Sequence, residues 1–300
     1  MPNHFVARIL YFFVLFASRI LFPEASHAAV VISSCGATCS TNCELGNHLA
    51  CDETTPVAVQ LVNGATLDLK GFNIKCVYQD GDPGTCHTAI EAGAGSVVYT
   101  SVPAIPNQNK LNRIGGSWRN GIICLGAGTR VSDLSLRGFF GDNAIRSCQT
   151  IERNSIVGIP SLSRSSSTRS SLSFPPYGIL ARTGAGSNVI TSNYFDGFYI
   201  NVYRQNGGTG TLTVAHNTFN VRQKLPGVAQ QAAIELTMTA DHPVTLTDNI
   251  FTGDSTAPLI SVNPAHAPFT YSNNICKRMP ACGQCVAAGQ CQASGTCHAP

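Results

Sequence analysis

The sequence predicts an all-β solenoid, because short strand-and-turn units repeat along most of its 300 residues. The clearest unit runs from Tyr177 to Phe198, where two apolar strands flank a small-residue turn and an Asn-containing bend follows. Similar units of about 20 to 25 residues precede and follow it, which is typical of solenoids. Their closing signatures share the pattern Asn-x-Ile or Asn-x-Phe: Asn154/Ile156, Asn193/Phe195, Asn217/Phe219, Asn249/Phe251 and Asn273/Ile275.

The recurrent Asn fits two structural roles at the bend. It tolerates the left-handed backbone conformation that a sharp corner requires. Its amide can also hydrogen-bond to the amide of the next unit, so that the Asn side chains form a column. Both roles are expected here.

Residues 57–275 are predicted to form the solenoid domain, with alternation of apolar and polar residues beginning at Val57. Stacked parallel strands lie about 4.8 Å apart, so inward residues of successive units align in rows. One predicted inward row holds Ile122, Ile145, Ile179, Ile200, Ile234 and Ile260, and the next holds Cys124, Ser147, Ala181, Val202, Leu236 and Val262. A Ser-rich insertion, residues 160–176, is predicted to be a surface loop.

Residues 1–28 are predicted to be a secretory signal peptide. Arg8 precedes an apolar run at residues 9–17, and small residues at Ser26 and Ala28 fit a signal-peptidase site. The alternative is an N-terminal membrane anchor, but Arg19 interrupts the apolar stretch well short of the roughly 20 residues that a spanning helix needs. We therefore expect a secreted protein, extracellular or periplasmic, that does not associate with a membrane after cleavage.

Thirteen Cys residues in an exported chain predict disulfides. Four lie in residues 29–56, which show no strand alternation and are predicted to be a disulfide-pinned N-terminal cap, and five lie in a tail at 276–300. A zinc site is the alternative for these spacings, but disulfides are favoured and no metal is expected. Cys76 and Cys86 are expected to close a loop. A Cys124–Cys148 bridge suits adjacent coils, although strict alternation turns Cys124 inward and Cys148 outward. The odd total leaves at least one thiol free, intermolecular or lost with a processed tail.

The stretches TLDLKGFNI, NSIVG, SNYFDG and DNIFTG resemble the coils of right-handed parallel β-helix proteins of the pectin-lyase-like superfamily. The resemblance covers residues 57–275 and implies a right-handed parallel β-helix, here of about seven to nine coils with disulfide-rich ends. It indicates the architecture and not the activity, because the same fold carries lyases, hydrolases, esterases, phage tailspikes and adhesins. The calcium-binding Asp cluster and catalytic Arg signature of pectate lyases and the Asp motifs of polygalacturonases are absent from the sequence. No residue is therefore assigned a role from any enzyme family.

A groove on the first strand of each unit is the predicted ligand site. Continued alternation gives one outward column of Ile123, Arg146, Leu180, Asn201, Glu235 and Ser261, and a second of Leu125, Cys148, Arg182, Tyr203, Thr237 and Asn263. Arg182 is then expected beside Tyr203, and Asn201 beside Glu235. Guanidinium groups bind carboxylates or sulfates in bidentate fashion, and a Tyr ring offers a flat face to a sugar. The alternative is an ordinary solvated face with a weak Arg–Glu pair.

Two further carboxylates are candidates for catalysis. Asp142 and Asp196 are expected in matching bends two coils apart, which is about 9–10 Å. That is at the far edge of the roughly 6.5–9.5 Å between the carboxylates of inverting glycosidases. Both residues also suit turn capping, which is the competing interpretation.

The sequence thus predicts an exported protein that binds, and as a lyase or glycoside hydrolase would cleave, an acidic polysaccharide. The catalytic candidates are Glu235, Arg182, Asp142 and Asp196, and the binding candidates are Arg146, Asn201 and Tyr203; no cofactor is expected. The alternative is a non-catalytic structural or adhesin-like surface protein. A nucleic-acid partner is not expected, because only 12% of residues are charged and no basic run occurs.

Overall fold

A computed structural model describes residues 28–77, 86–102, 113–159, 161–163, 171–173, 177–182, 186–204, 210–221, 232–237, 243–254, 259–263 and 269–277. The predicted signal peptide, but for its last residue, lies outside the described residues, as do the loop that Cys76 and Cys86 bracket and the Cys-rich tail beyond residue 277. The described residues form 28 strands and no helix, so the chain is all-β there. They accordingly contain no helix long and apolar enough to cross a bilayer.

The strands are, in chain order, β1 (Val30–Ile32), β2 (Ala37–Cys39), β3 (Asn42–Leu45), β4 (Leu49–Cys51), β5 (Val57–Leu61), β6 (Thr66–Asp68), β7 (Ile74–Cys76), β8 (Cys86–Ala92), β9 (Val97–Tyr99), β10 (Arg113–Cys124), β11 (Arg130–Ser132), β12 (Ser135–Arg146), β13 (Thr150–Glu152), β14 (Ser155–Gly158), β15 (Ser161–Ser163), β16 (Ser171–Ser173), β17 (Tyr177–Ala181), β18 (Asn188–Thr191), β19 (Tyr194–Asp196), β20 (Ile200–Arg204), β21 (Leu212–Ala215), β22 (Thr218–Val221), β23 (Ala232–Thr237), β24 (Val244–Thr247), β25 (Ile250–Gly253), β26 (Ile260–Asn263), β27 (Phe269–Ser272) and β28 (Ile275–Lys277).

All of these strands except β15 and β16 lie on three faces that the chain visits in a fixed order. Face 1 is the 10-stranded sheet β1-β3-β6-β9-β11-β13-β18-β21-β24-β27. Face 2 holds β4, β7, the first halves of β10 and β12, then β14, β19, β22, β25 and β28. Face 3 holds β2, β5, β8, the second halves of β10 and β12, then β17, β20, β23 and β26. The 12-residue strands β10 and β12 run across the edge between faces 2 and 3 and join them into one 16-stranded sheet.

Every strand pairing between successive turns of the chain in the described residues is parallel. Parallel pairing of successive turns on three faces is consistent with a β-helix or solenoid-like fold. The apolar side chains that point inward from the three faces form one continuous core. The predicted all-β class is confirmed.

A column of buried Asn side chains forms the corner between faces 1 and 2, which we call the Asn corner; its members are Asn154, Asn193, Asn217, Asn249 and Asn274. Each backbone N–H donates to the side-chain oxygen of the next Asn at 2.9–3.0 Å, and each Nδ2 from Asn154 to Asn249 donates to the same oxygen at 2.8–3.1 Å. The predicted Asn column is therefore confirmed.

Two details of that prediction are wrong. The left-handed residue is the one before each corner Asn: Arg153 (φ 53°), Ser192 (58°), His216 (57°), Asp248 (56°) and Asn273 (55°). The last member of the column is consequently Asn274, because Ile275 pairs with Ile250 and not with Phe251. The Asn-Asn dipeptide offered two alignments, and only the backbone conformation distinguishes them.

Strands begin earlier than the alternation at Val57 predicted. β1 to β4 pair in parallel with β3, β5, β6 and β7, so residues 29–56 already follow the arrangement of the later strands. Disulfides Cys35–Cys51 and Cys39–Cys43 fasten this segment. No alternation is visible in this segment of the sequence because these strands are only three or four residues long.

The remaining disulfides of the described residues are Cys76–Cys86 and Cys124–Cys148, and both were anticipated. The objection to Cys124–Cys148 fails for a local reason. β12 ends at Arg146, and Ser147 takes a left-handed conformation (φ 61°), which turns Cys148 into the interior. Four disulfides indicate an oxidising environment.

One predicted alignment on face 3 is wrong by two residues. Ile179 pairs with Val202, and Val202 pairs with Ile234, whereas Ile200 pairs with Tyr177 and Ala232. Side chains alternate with period two, so a slip of two residues leaves every inward residue inward and is invisible to the pattern. In the second inward row Arg204, not Val202, therefore pairs with Ala181 and Leu236.

The Ser-rich insertion, predicted to be a surface loop, contains two short strands. β15 and β16 form an antiparallel pair in which Leu162 pairs with Leu172. This pair is separate from the three faces.

Candidate functional site

The outward side of face 3 carries a row of dissimilar residues, which we call the outer row. Strand register places its members in the order Thr38, Gln60, Glu91, Ile123, Arg146, Leu180, Tyr203, Glu235 and Ser261. Neighbouring members sit on adjacent parallel strands, about 4.8 Å apart. A cation, an aromatic ring and two carboxylates thus follow one line along the solenoid-like body.

A cleft of about 600 Å³ opens beside the first half of the outer row. Its charged lining residues are Glu91, Arg146 and Arg182, and its uncharged lining includes Leu125, Gln149, Ser187 and Asn188. Arg146 ends β12, and Arg182 immediately follows β17, the strand that pairs with it. Two guanidinium groups against one carboxylate suit an anionic ligand.

A third guanidinium lies behind the wall of this cleft. Arg204 is only 1% exposed, and it donates to the side-chain oxygen of Asn188 at 3.1 Å and to the carbonyl of Gly210 at 3.2 Å. Burial lowers the pKa of its guanidinium from the ordinary value, yet an arginine stays charged in proteins. Both acceptors are neutral oxygens, and Asn188 lines the cleft, so this charge adds to the positive potential there.

An aromatic pair lies at the other half of the outer row. The rings of Tyr177 and Tyr203 stack with centroids 4.8 Å apart and an interplanar angle of 14°. The Thr237 hydroxyl bonds to the Tyr203 hydroxyl at 2.9 Å and to the Arg204 carbonyl at 3.0 Å, which fixes the ring in place. Such a rigid, half-buried aromatic surface suits the apolar face of a sugar ring.

Glu235 lies next to Tyr203 in the outer row. Burial raises the pKa of the Glu235 carboxyl above its ordinary value. Burial also raises the pKa of Tyr177, and the neighbouring Tyr203 and Glu235 raise it further. A carboxyl that protonates more readily than usual, next to an aromatic surface, is a recognised feature of functional sites.

The structure redistributes the predicted groove residues. Arg182 is not beside Tyr203, because Leu180 pairs with Tyr203 and Ala181 with Arg204. Asn201 is not beside Glu235, since Tyr203 occupies that position. Asn201 is moreover only 2% exposed, so its side chain is not accessible to a ligand.

The two aspartates do not form a pair. Asp142 lies in β12, where its carboxylate accepts a hydrogen bond from Arg119 Nε at 2.8 Å. Asp196 lies on face 2 in β19, is 8% exposed, and shares a register position with Val157 and Arg137. The expectation that they occupy matching bends is wrong. Asp142 and Asp196 lie in strands of different units, and their backbone positions in those units are not equivalent.

Sequence reasoning missed two members of the site. Glu91 follows a stretch where loops separate the repeats, so no unit could be aligned on it. Tyr177 was treated as the start of a repeat, although its ring reaches the adjacent Tyr203. An aromatic residue at the start of one face 3 strand and another near the end of the next is the signal that could have identified the pair.

Metal binding has no support within the described part of the chain, where no three His, Cys, Asp or Glu side chains come together as ligands. Comparisons with known proteins add no identity: no family profile, curated protein or solved structure matches this chain.

Proposed function

We propose that this chain is an exported right-handed parallel β-helix protein of the pectin-lyase-like kind, of about seven to nine coils, that binds an acidic polysaccharide along the outer row. The observation that carries the proposal is that the cleft and the outer row form one continuous surface. The cleft with Arg146 and Arg182 leads directly into the row that presents Tyr203 and Glu235.

Each part of this surface supplies a different contribution to sugar binding. The guanidinium groups bind carboxylate or sulfate groups through charge-assisted hydrogen bonds. The Tyr177–Tyr203 pair supplies apolar area to a ring, and Glu235 accepts hydrogen bonds from hydroxyl groups when it is ionised. Four disulfides support export to an oxidising compartment.

Glu235 is the carboxyl best placed for acid–base chemistry, because burial raises its pKa toward the range used by catalytic acids. The described part of the chain gives it no second carboxylate within one strand of the outer row, where Tyr203 and Ser261 are its neighbours. Binding is therefore the proposed function. The experiment described next also tests whether the protein cleaves the polysaccharide as a lyase or hydrolase.

The test is to incubate the purified protein with acidic and neutral polysaccharides and to measure affinity, unsaturated products and reducing ends. Arg182→Ala should weaken binding to the acidic polymers, and the loss should be largest at low salt, where screening is least. Glu235→Gln should abolish any product while leaving binding intact or improved.

A matched control is Arg153→Ala, which removes an exposed arginine at the Asn corner, at the end of β13 that is farther from the cleft. It should bind every polymer as wild type does. If Arg182→Ala also does so, the outer row is only scaffold and the protein is a structural or adhesin-like surface protein.

A further inference from the structure

We infer that the ligand is a polysaccharide in which charged and uncharged sugars are mixed, with a charged unit in the cleft and an uncharged unit beside Glu235. This inference rests on the proposed function and specifies which acidic polysaccharides satisfy it. It follows from how charge is distributed along the outer row.

Among the described residues, the cations of the site lie at one end. Arg146 and Arg182 line the cleft. The buried Arg204 lies behind the cleft wall, where it donates a hydrogen bond to the lining residue Asn188. The carboxylate of Glu91 is two strands further along the row from Arg146, with Ile123 between them. An anionic group entering beside Arg146 and Arg182 therefore meets cations first.

The other end carries no described cation in the outer row. Beyond Arg146 the row continues with Leu180, Tyr203 and Glu235. None of the ion pairs among the described residues involves Glu235. A ligand carboxylate placed there would lie against an aromatic pair and a partly buried carboxylate, where like charges repel.

The spacing of the row connects these two ends to a single chain. Arg146 is two strands from Tyr203 and three from Glu235, which corresponds to about 10 Å and about 14 Å. The length of one pyranose unit is close to one strand spacing, so a glycan lying along the row presents a new sugar to about every member. A polymer with a carboxylate on every sugar cannot avoid Glu235, whereas a mixed polymer can place an uncharged sugar there.

The test compares polymers that differ in charge density. The probes are polygalacturonate, with a carboxylate on every unit, its partially methyl-esterified form, with the same backbone and fewer charges, and hyaluronan, in which uronate and N-acetylated sugars alternate. Affinities are measured by calorimetry for the wild-type full chain, Glu235→Gln and Glu53→Gln. Glu53 is an exposed acid in the segment between β4 and β5 and serves as the matched control.

Wild-type protein should bind one of the two mixed polymers about tenfold more tightly than polygalacturonate. Glu235→Gln should remove most of that difference by improving binding of polygalacturonate, and Glu53→Gln should leave it unchanged. If wild type binds polygalacturonate as tightly as both mixed polymers, and Glu235→Gln changes nothing, the inference is wrong while the proposed function stands. If none of the three polymers binds, the proposed function fails and the inference fails with it.

Discussion

The Asn corner and the outer row run along the same body with the same strand spacing, yet they use it in opposite ways. At the Asn corner one residue type recurs before five successive strands of face 2, and each Asn bonds to the next in the same way. In the outer row, the successive members Arg146, Leu180, Tyr203 and Glu235 all differ in chemistry. The repeated Asn supplies the same corner hydrogen bonds at each turn of the chain, whereas a row of different side chains can bind different parts of a ligand.

The comparison predicts that substitutions at the repeated positions affect stability and that substitutions in the outer row affect binding. The largest effect is expected at Phe219, whose ring lies between Phe195 and Phe251 with centroid distances of 4.9 and 5.1 Å. Phe219→Ala should lower the free energy of unfolding by about 3–5 kcal/mol, since it opens a cavity in a fully buried stack. Urea unfolding followed by circular dichroism measures this change. Tyr194→Ala, on the exposed side of adjacent β19, should cost about 1 kcal/mol or less.

The Asn corner should respond somewhat less strongly. Asn217→Ala removes the acceptor of the Asn193 amides and the donor to the Ile190 carbonyl, all in the buried column. Buried polar groups without partners destabilise, so we expect a loss of about 2–3 kcal/mol in the same unfolding measurement. Asn220→Ala, on the outward side of β22, is the control and should be close to neutral. Equal losses for both variants would show that the column contributes nothing beyond ordinary side-chain contacts.

The smallest effect on stability is expected in the outer row, where Glu235 should make stability weakly dependent on pH. Burial raises its pKa in the folded protein above the ordinary value of 4.5. The folded state therefore holds this proton more tightly than the unfolded state, and the resulting stabilisation is complete below pH 4.5 and lost as pH rises through the raised pKa. Glu235→Gln should remove that dependence, so the stability of the variant relative to wild type should increase with pH across this window. A constant difference between them at all pH values would contradict the burial of this carboxyl.

The same contrast explains how much the sequence could predict. The Asn-x-Ile or Asn-x-Phe signature recurs in five successive units, and it predicted the column of Asn side chains and the all-β class. Its one ambiguity was Asn273 against Asn274, where two equivalent amides follow each other and only the φ of Asn273 (55°) separates them. The alternation of apolar and polar residues does not show which residue at a corner takes the left-handed conformation.

The outer row was predicted less well, because alternation reports which side a residue faces and not which residue is its neighbour. Arg146, Tyr203 and Glu235 were correctly expected on the outward side of face 3. Their neighbours were not, since the two-residue slip at Ile200 exchanged Asn201 for Tyr203 beside Glu235. Glu91 could not be placed at all, because neighbouring loops interrupt the repeat.

The central claim is that the outer row is a ligand-binding surface. The most direct measurement is the affinity of wild type, Tyr203→Ala and Tyr194→Ala for the acidic polysaccharide that wild type binds most tightly, determined by calorimetry alongside urea unfolding. Tyr194 is a matched control, because it is an exposed tyrosine on face 2, away from the cleft. We predict that Tyr203→Ala loses about tenfold or more in affinity while its unfolding free energy falls by only about 1–2 kcal/mol, from the lost stack on Tyr177, and that Tyr194→Ala binds as wild type does. Equal affinity of all three proteins, or equal losses in both variants, would contradict the claim.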